Sequence, residues 1–266
     1  MRNFTKKTIA ASLVLCLGII AGCGTTKPTT TTNVAPAEKK VLKVGSEAAY
    51  APFEYKDEKT SEITGFDIEL VTAVGKAAGF DEVKIENTAW DGLIPALNSK
   101  KTDIVISAMT ITDERKQSAL FSDKYFQATQ YIAVKEGSTI KGSADLKGKR
   151  VAVQTNTTGQ FVSEKLGVKE IKKFDTTPDA LNALKIGAVD AVVADSPVVL
   201  WFIKQNPDAK VTSVTGDFDK EYYGMAMKLD NKELADKINA GLKQVKDSGK
   251  YNAIYKKYFN VDAPQF

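Results

Sequence analysis

The 266-residue chain contains no histidine. That absence removes Ser-His-Asp and Cys-His nucleophile systems, HExxH zinc sites and imidazole general bases together, leaving carboxylates and lysines for any proton chemistry. Cysteine is nearly as scarce: Cys16 and Cys23 both fall in the first 23 residues. If a leader is cut before Cys23, one thiol remains and no disulfide can form. From Val41 to Phe266 no stretch is long and apolar enough to span a bilayer. Basic excess is missing too. The formal charge is +4, but Arg2, Lys6 and Lys7 supply three of the 37 basic side chains, so the chain after residue 23 carries 34 against 33 acidic ones. Without a basic patch or a Lys/Arg-rich stripe, nucleic acid is not expected as a partner. What remains is 43% apolar and 26% charged, an ordinary globular composition that excludes whole-chain disorder and collagen-like repeats. The length allows one large domain or two modest ones.

The N-terminus reads as an address. Three positive charges within Met1 to Lys7 precede an apolar or small-residue run from Ile9 to Gly22, short for a membrane span and suited to the core of a signal sequence. It ends in Ile20-Ala21-Gly22-Cys23, which resembles a bacterial lipobox. That resemblance implies diacylglyceryl transfer to Cys23, cleavage before it and a lipid-anchored protein on the outer face of the cytoplasmic membrane. Residues 24–40 (GTTKPTTTTNVAPAEKK) are Thr- and Pro-rich with little to bury, and they read as an extended tether.

From Val41 onward, strand-like and helix-like segments alternate. VLKVG is β-rich, and GFDIELVTAVGKAAGF places Phe66, Leu70, Ala73, Val74 and Ala77 on one helical face that Gly79 closes. Strand VKIEN, a helix from Leu93, strand DIVIS, a short helix after Thr112 and strand QYIAV follow. The pattern restarts at Arg150 with RVAVQ, a helix from Thr158 to Leu166, EIKKF, DALNALKIG, AVVA and PVVLWFIKQ. Successive βα units predict an α/β protein with mostly parallel sheets covered by helices. Two extended stretches, 122–134 and EYYGMAMK at 221–228, predict two crossings between two lobes. Lobe 1 is then expected over 41–125 and 226–266 and lobe 2 over 130–221, with a ligand in the cleft between them.

Three groups of residues suggest chemistry. In S-A-M-T-I-T-D-E-R (107–115), a strand ends near Ser107 and Thr112 is the expected N-cap, which puts Arg115 in the first helical turn. An arginine there, beside free helix N–H groups and the Thr110 hydroxyl, is suited to gripping a carboxylate; a solvated pair with Asp113 or Glu114 is the plainer alternative. Asp195 closes strand A-V-V-A-D before a helix with Pro197 in its first turn, so it is either an ammonium partner at a strand's carboxyl end or simply an N-cap. Tyr50 and Trp90 offer flat aromatic walls for a ligand, with Glu47 three residues before Tyr50; Phe53 and Tyr55 read as core. The turn 153–159 (V-Q-T-N-T-T-G) is a further anion cradle, and lacks the G-K-[ST] of a P-loop.

With these residues in view, nearly all of Val41 to Phe266 resembles the substrate-binding proteins of bacterial ABC importers, in the branch that takes up polar amino acids. The resemblance rests on GFDIEL (65–70), WDGLIPAL (90–97), S-x-M-T-I-T-x-E-R with F-S-D (107–123), the turn 154–159 and GAVDAVVAD (187–195). It implies the two-lobed periplasmic-binding-protein fold, type II, joined by a two-stranded hinge. It also implies that Arg115 holds a ligand α-carboxylate with Thr110 and Thr158, and that Asp195 holds the α-ammonium with the Ala108 carbonyl and the Thr110 hydroxyl. Tyr50 and Trp90 would sandwich the side chain, with Glu47, Gln154 and Thr157 near its tip. Asn156 stands where many relatives have Gly. The implied ligand is glutamine or a basic amino acid such as arginine, the implied partners are a permease with its ATPase subunits, and no cofactor or metal is implied. A dehydratase acting on prephenate-like acids is the competing reading on the same fold. It would need a carboxylic acid at the reacting carbon and has little use for Asp195 as an ammonium partner.

Overall fold

The protein is described by a computed structural model over residues 39–266. The expected leader, the lipidation position Cys23 and the tether up to residue 38 lie outside the described residues. Two five-stranded sheets organise the rest. The first runs Glu82–Asn87, Val41–Ser46, Ile104–Val105, Ala226–Met227, Leu120–Phe121 in spatial order. The second runs Glu170–Phe174, Arg150–Gln154, Ala191–Asp195, Gln130–Lys135, Val211–Thr215. In each, the first three strands are parallel, as successive βα units require, and the fourth runs antiparallel to both the third and the fifth. The sheets are therefore mixed, because the strands that follow a crossing enter from the opposite direction.

Both crossings are strands. Phe126–Ala128 and Glu221–Tyr223 pair antiparallel, Phe126 opposite Tyr223 and Ala128 opposite Glu221, forming a two-stranded connection between the sheets. A small meander of Ala49–Tyr50, Glu54–Lys56 and Ile63–Thr64 lies on the first lobe.

Side-chain caps start several of the helices. Thr157 caps Thr158–Lys165 by accepting from the Gln160 N–H, Thr176 caps Thr177–Lys185 through Asp179 N–H, and Asn231 caps Lys232–Asp247 through Leu234 N–H. Helix Phe66–Ala77 buries Phe66, Leu70, Val71 and Val74. It packs on Lys232–Asp247, whose Gly241 permits the approach: a Cβ there would lie 2.7 Å from the Val74 carbonyl oxygen. The helix expected after Thr112 is instead a single 3-10 turn, Arg115–Gln117. Thr112 Oγ1 does accept the Arg115 N–H at 3.1 Å, but the chain is drawn out within a few residues as Leu120–Phe121 pairs with Ala226–Met227.

The first lobe's core meets the crossing strands in an aromatic cluster. Phe53 sits between Phe66, Phe126, Tyr223 and Phe259, with ring centroids 4.9 to 6.1 Å apart and mostly edge-to-face. Phe53→Ala is expected to destabilise the fold by about 3–5 kcal/mol, lowering the thermal midpoint by roughly 10 °C. A calorimetric scan showing a drop under about 3 °C would contradict this central role for the ring.

Candidate functional site

The residues singled out by sequence converge on one cavity between the lobes. From the first lobe come Glu47, Tyr50, Trp90, Ala108, Thr110 and Arg115; from the second come Gln154, Thr157, Thr158 and Asp195. Every one of them lines the cavity. Ser107, Gln130, Gly159, Thr177, Val193 and Ala194 complete the wall. Gly159 lets the helix of the second lobe start against its sheet, since a Cβ would lie 2.7 Å from the Val193 carbonyl oxygen.

Arg115 reaches across the cleft. Its Nη1 donates to the Thr110 carbonyl at 2.9 Å, its Nη2 donates to the Asn156 carbonyl at 3.1 Å, and its guanidinium lies 5.1 Å from the Trp90 ring centre. Two of five N–H donors are thereby used, and three remain for an anion. Burial lowers the guanidinium pKa from its ordinary value, while Asp195 and Glu221 oppose that effect. The helix N-terminus expected to assist it is absent here, so the anion-binding capacity belongs to the guanidinium itself.

Asp195 occupies the N-cap position of Ser196–Gln205 yet makes no side-chain capping bond. Its buried carboxylate faces the cleft instead. It accepts from Tyr223 Oη and from Gln130 Nε2, each at 2.5 Å. Burial, then the nearby Glu221 charge, pushes its pKa up to about 6. The carboxylate is held by donors at the cavity and not by its own helix.

The far end holds Glu47. Its Oε2 accepts from Gln154 Nε2 at 2.8 Å and its Oε1 from the Trp90 N–H at 3.4 Å. Burial raises its pKa. Gln154 also donates to the Asp175 carbonyl and accepts from Thr177 Oγ1, so its amide is fixed. Asn156 has φ +57°, the left-handed region that asparagine tolerates better than most side chains. Its carbonyl accepts from Trp90 Nε1 at 3.3 Å, and its side chain donates to Asp91 Oδ1 at 3.0 Å. The turn at Asn156 is thus a bridge to the first lobe.

Three participants escape sequence reasoning. Gln130 stands opposite Asp195 in the antiparallel register, Tyr223 holds Asp195 from the crossing strand, and Glu221 accepts from Thr110 Oγ1 at 2.7 Å and Thr158 Oγ1 at 2.8 Å. The only signal for them was their place in the two extended crossings.

Beneath the site lies a buried acid pair. Asp67 Oδ2 accepts from the Ala108 N–H at 2.8 Å and Tyr125 Oη at 2.7 Å, and Glu54 Oε1 accepts from Ser107 Oγ at 3.1 Å. Glu54 Oε2 and Asp67 Oδ1 have no other donor among the described residues, and a proton held between the carboxyl groups satisfies both. Burial, followed by repulsion from Asp67, keeps that proton on Glu54, while burial raises Asp67 to about 6. Asp67 and Asp195 therefore share one linkage sign. Their folded-state pKa lies above the unfolded value, so stability present below about pH 4 is lost as pH rises through about 6. The ligand-free protein is expected to melt several degrees lower at pH 7.5 than at pH 5. Surface carboxylates such as Asp190 are shifted downward and titrate below this window. Calorimetry at the two pH values checks the sign, and a higher midpoint at pH 7.5 would contradict it.

Among the described residues, no cluster of carboxylate or thiol side chains is placed to hold a metal, and no helix is long and apolar enough to cross a membrane. Comparison with known proteins agrees with the geometry. A probable histidine-binding protein of Neisseria gonorrhoeae is 40% identical over 98% of both chains. The crystal structure of the arginine-, lysine-, histidine-binding protein ArtJ from Geobacillus stearothermophilus matches with a TM-score of 0.80 and 48% identity, over 84% of this chain and 97% of that one. An ancestral arginine-binding protein bound to glutamine matches equally well in shape, TM-score 0.80, at 45% identity over 84% of this chain and all of that one. Residues 42–261 match the bacterial extracellular solute-binding proteins, family 3, and the chain belongs to that family.

Proposed function

We propose that the protein binds a free polar amino acid in the cleft, with the two lobes closed over it, and hands it to the permease of an ABC importer. One observation carries the reading: a single cation with free donors, Arg115, and a buried carboxylate, Asp195, face one cavity from opposite lobes. That pairing is complementary to a zwitterion's α-carboxylate and α-ammonium. Trp90 and Tyr50 wall the space between, and Glu47 waits at the opposite end.

Charge argues for the side chain. Asp195 and Glu221 stand near the one arginine and Glu47 at the opposite end, and the burial that raises Glu47 and Asp195 is relieved by a ligand bringing positive charge to both ends. A basic amino acid, arginine foremost, fits better than glutamine, and the relatives named for arginine and histidine support this. No step needs a nucleophile, metal or cofactor. A dehydratase would need an acid free at the reacting carbon, whereas Asp195 is engaged by Tyr223 and Gln130. The N-terminal Ile20-Ala21-Gly22-Cys23 supports a lipid anchor through Cys23 on the outer face of the cytoplasmic membrane.

The test is thermal stability with each of the twenty amino acids, after unfolding and refolding to strip co-purified ligand. A ligand present at a hundred times its Kd adds about 2.7 kcal/mol. The expected result is the largest rise with L-arginine, smaller rises with lysine, histidine and glutamine, and none with glutamate. No rise with any amino acid would reject the reading.

A further inference from the structure

The α-ammonium pocket contains a carboxylate that stands behind its wall. Glu221 lies on the crossing strand Glu221–Tyr223, outside the cavity lining, and one of its oxygens, Oε2, receives hydroxyls from both lobes: Thr110 Oγ1 at 2.7 Å and Thr158 Oγ1 at 2.8 Å. Its Oε1 accepts from Gln130 Nε2 at 3.1 Å, and the same amide nitrogen donates to Asp195 Oδ1 at 2.5 Å.

A threonine hydroxyl has one proton and two lone pairs. Because an ionised carboxylate only accepts, the Thr110 proton is committed to Glu221, and the group Thr110 shows the cavity is an acceptor. Thr158 gives its proton to the same oxygen and lies 3.2 Å from Gln130 Nε2, whose two protons are shared among Asp195 Oδ1, Glu221 Oε1 and Thr158 Oγ1. Resting on the amino-acid reading above, we propose that Glu221 is a positioning residue that sets specificity for the ligand ammonium: by taking the hydroxyl protons of Thr110 and Thr158 it turns Thr110 into a hydrogen-bond acceptor beside Asp195.

The geometry makes a sharp variant available. In Glu221→Gln the amide has one carbonyl, and Gln130 Nε2 fixes where it goes, because two facing NH2 groups repel. The new carbonyl then faces Gln130 and the new NH2 faces the threonines. Thr110 becomes an acceptor toward residue 221, and its proton turns into the cavity against the ligand ammonium. Shape and size barely change; the hydroxyl's direction reverses.

The test is calorimetric titration of refolded protein with L-arginine and with desamino-arginine, which lacks only the α-ammonium, each repeated with L-glutamine and desamino-glutamine. In the wild type the amino acid is expected to bind far more tightly than its desamino partner. Glu221→Gln is expected to shrink that ratio about tenfold, mostly by weakening the amino acid. Thr110→Val deletes the acceptor while leaving Glu221 in place and is expected to shrink the ratio similarly, which keeps the question open to decision if Glu221→Gln folds poorly. In a Thr110→Val background, Glu221→Gln is then expected to change the ratio less than twofold. Equal weakening of both ligands would show that Glu221 merely holds the lobes together and would overturn the proposal, as would an unchanged ratio. Wild-type protein that binds neither arginine nor glutamine would instead overturn the amino-acid reading, and this proposal with it.

Discussion

Arg115→Ala is expected to weaken amino-acid binding by about 3–5 kcal/mol, roughly two hundredfold to several thousandfold. The size follows from what the substitution leaves behind. A ligand carboxylate drawn into the closed cleft would lose the only cation lining it among the described residues. The side chain also joins the lobes, since its two terminal nitrogens hold the Thr110 carbonyl on one side and the Asn156 carbonyl on the other. Arg115→Lys keeps the charge but not the fork, and it cannot reach both carbonyls while gripping a carboxylate with two bonds. Its binding is expected to fall between wild type and Arg115→Ala. Titration calorimetry on the three proteins checks the order, and an Arg115→Ala protein within tenfold of wild type would contradict the placement of the carboxylate.

The second large effect is at Asp195. Asp195→Asn is expected to weaken binding about a hundredfold, because an amide cannot neutralise a buried ammonium. The same substitution is expected to leave the ligand-free protein at least as stable as wild type near pH 7.5, since burying the ionised carboxylate is itself unfavourable. These opposite signs separate a binding residue from a structural one. The wild type carries a pH signature as well. A proton competes with the ammonium for Asp195, so affinity is expected to weaken by up to about tenfold per pH unit below about 6. In Asp195→Asn that slope should flatten. Loss of folding together with loss of binding, or an unchanged slope, would contradict this assignment.

Much of this was legible in the sequence because it is local. The 3.6-residue spacing of Phe66, Leu70, Val74 and Ala77 gives the helix Phe66–Ala77. The cavity-lining residues sit at strand ends and first turns, where an open α/β sheet presents them. What could not be read depends on partners distant in the chain. The turn after Thr112 stops short because Leu120–Phe121 pairs with Ala226–Met227, more than a hundred residues away. Gln130 and Glu221 become site residues only once the antiparallel register sets Gln130 against Asp195 and Glu221 against Ala128. Asp195 reads as cap or ligand partner with equal ease until Tyr223, from the other crossing, claims its carboxylate.

The most direct measurement titrates the refolded protein with L-arginine and with agmatine, which keeps the guanidinium and the amine but lacks the α-carboxylate. The account predicts saturable one-to-one binding of arginine and agmatine binding at least a hundredfold weaker, because only arginine can engage Arg115. Agmatine binding as tightly as arginine, or no binding of arginine at all, would contradict it.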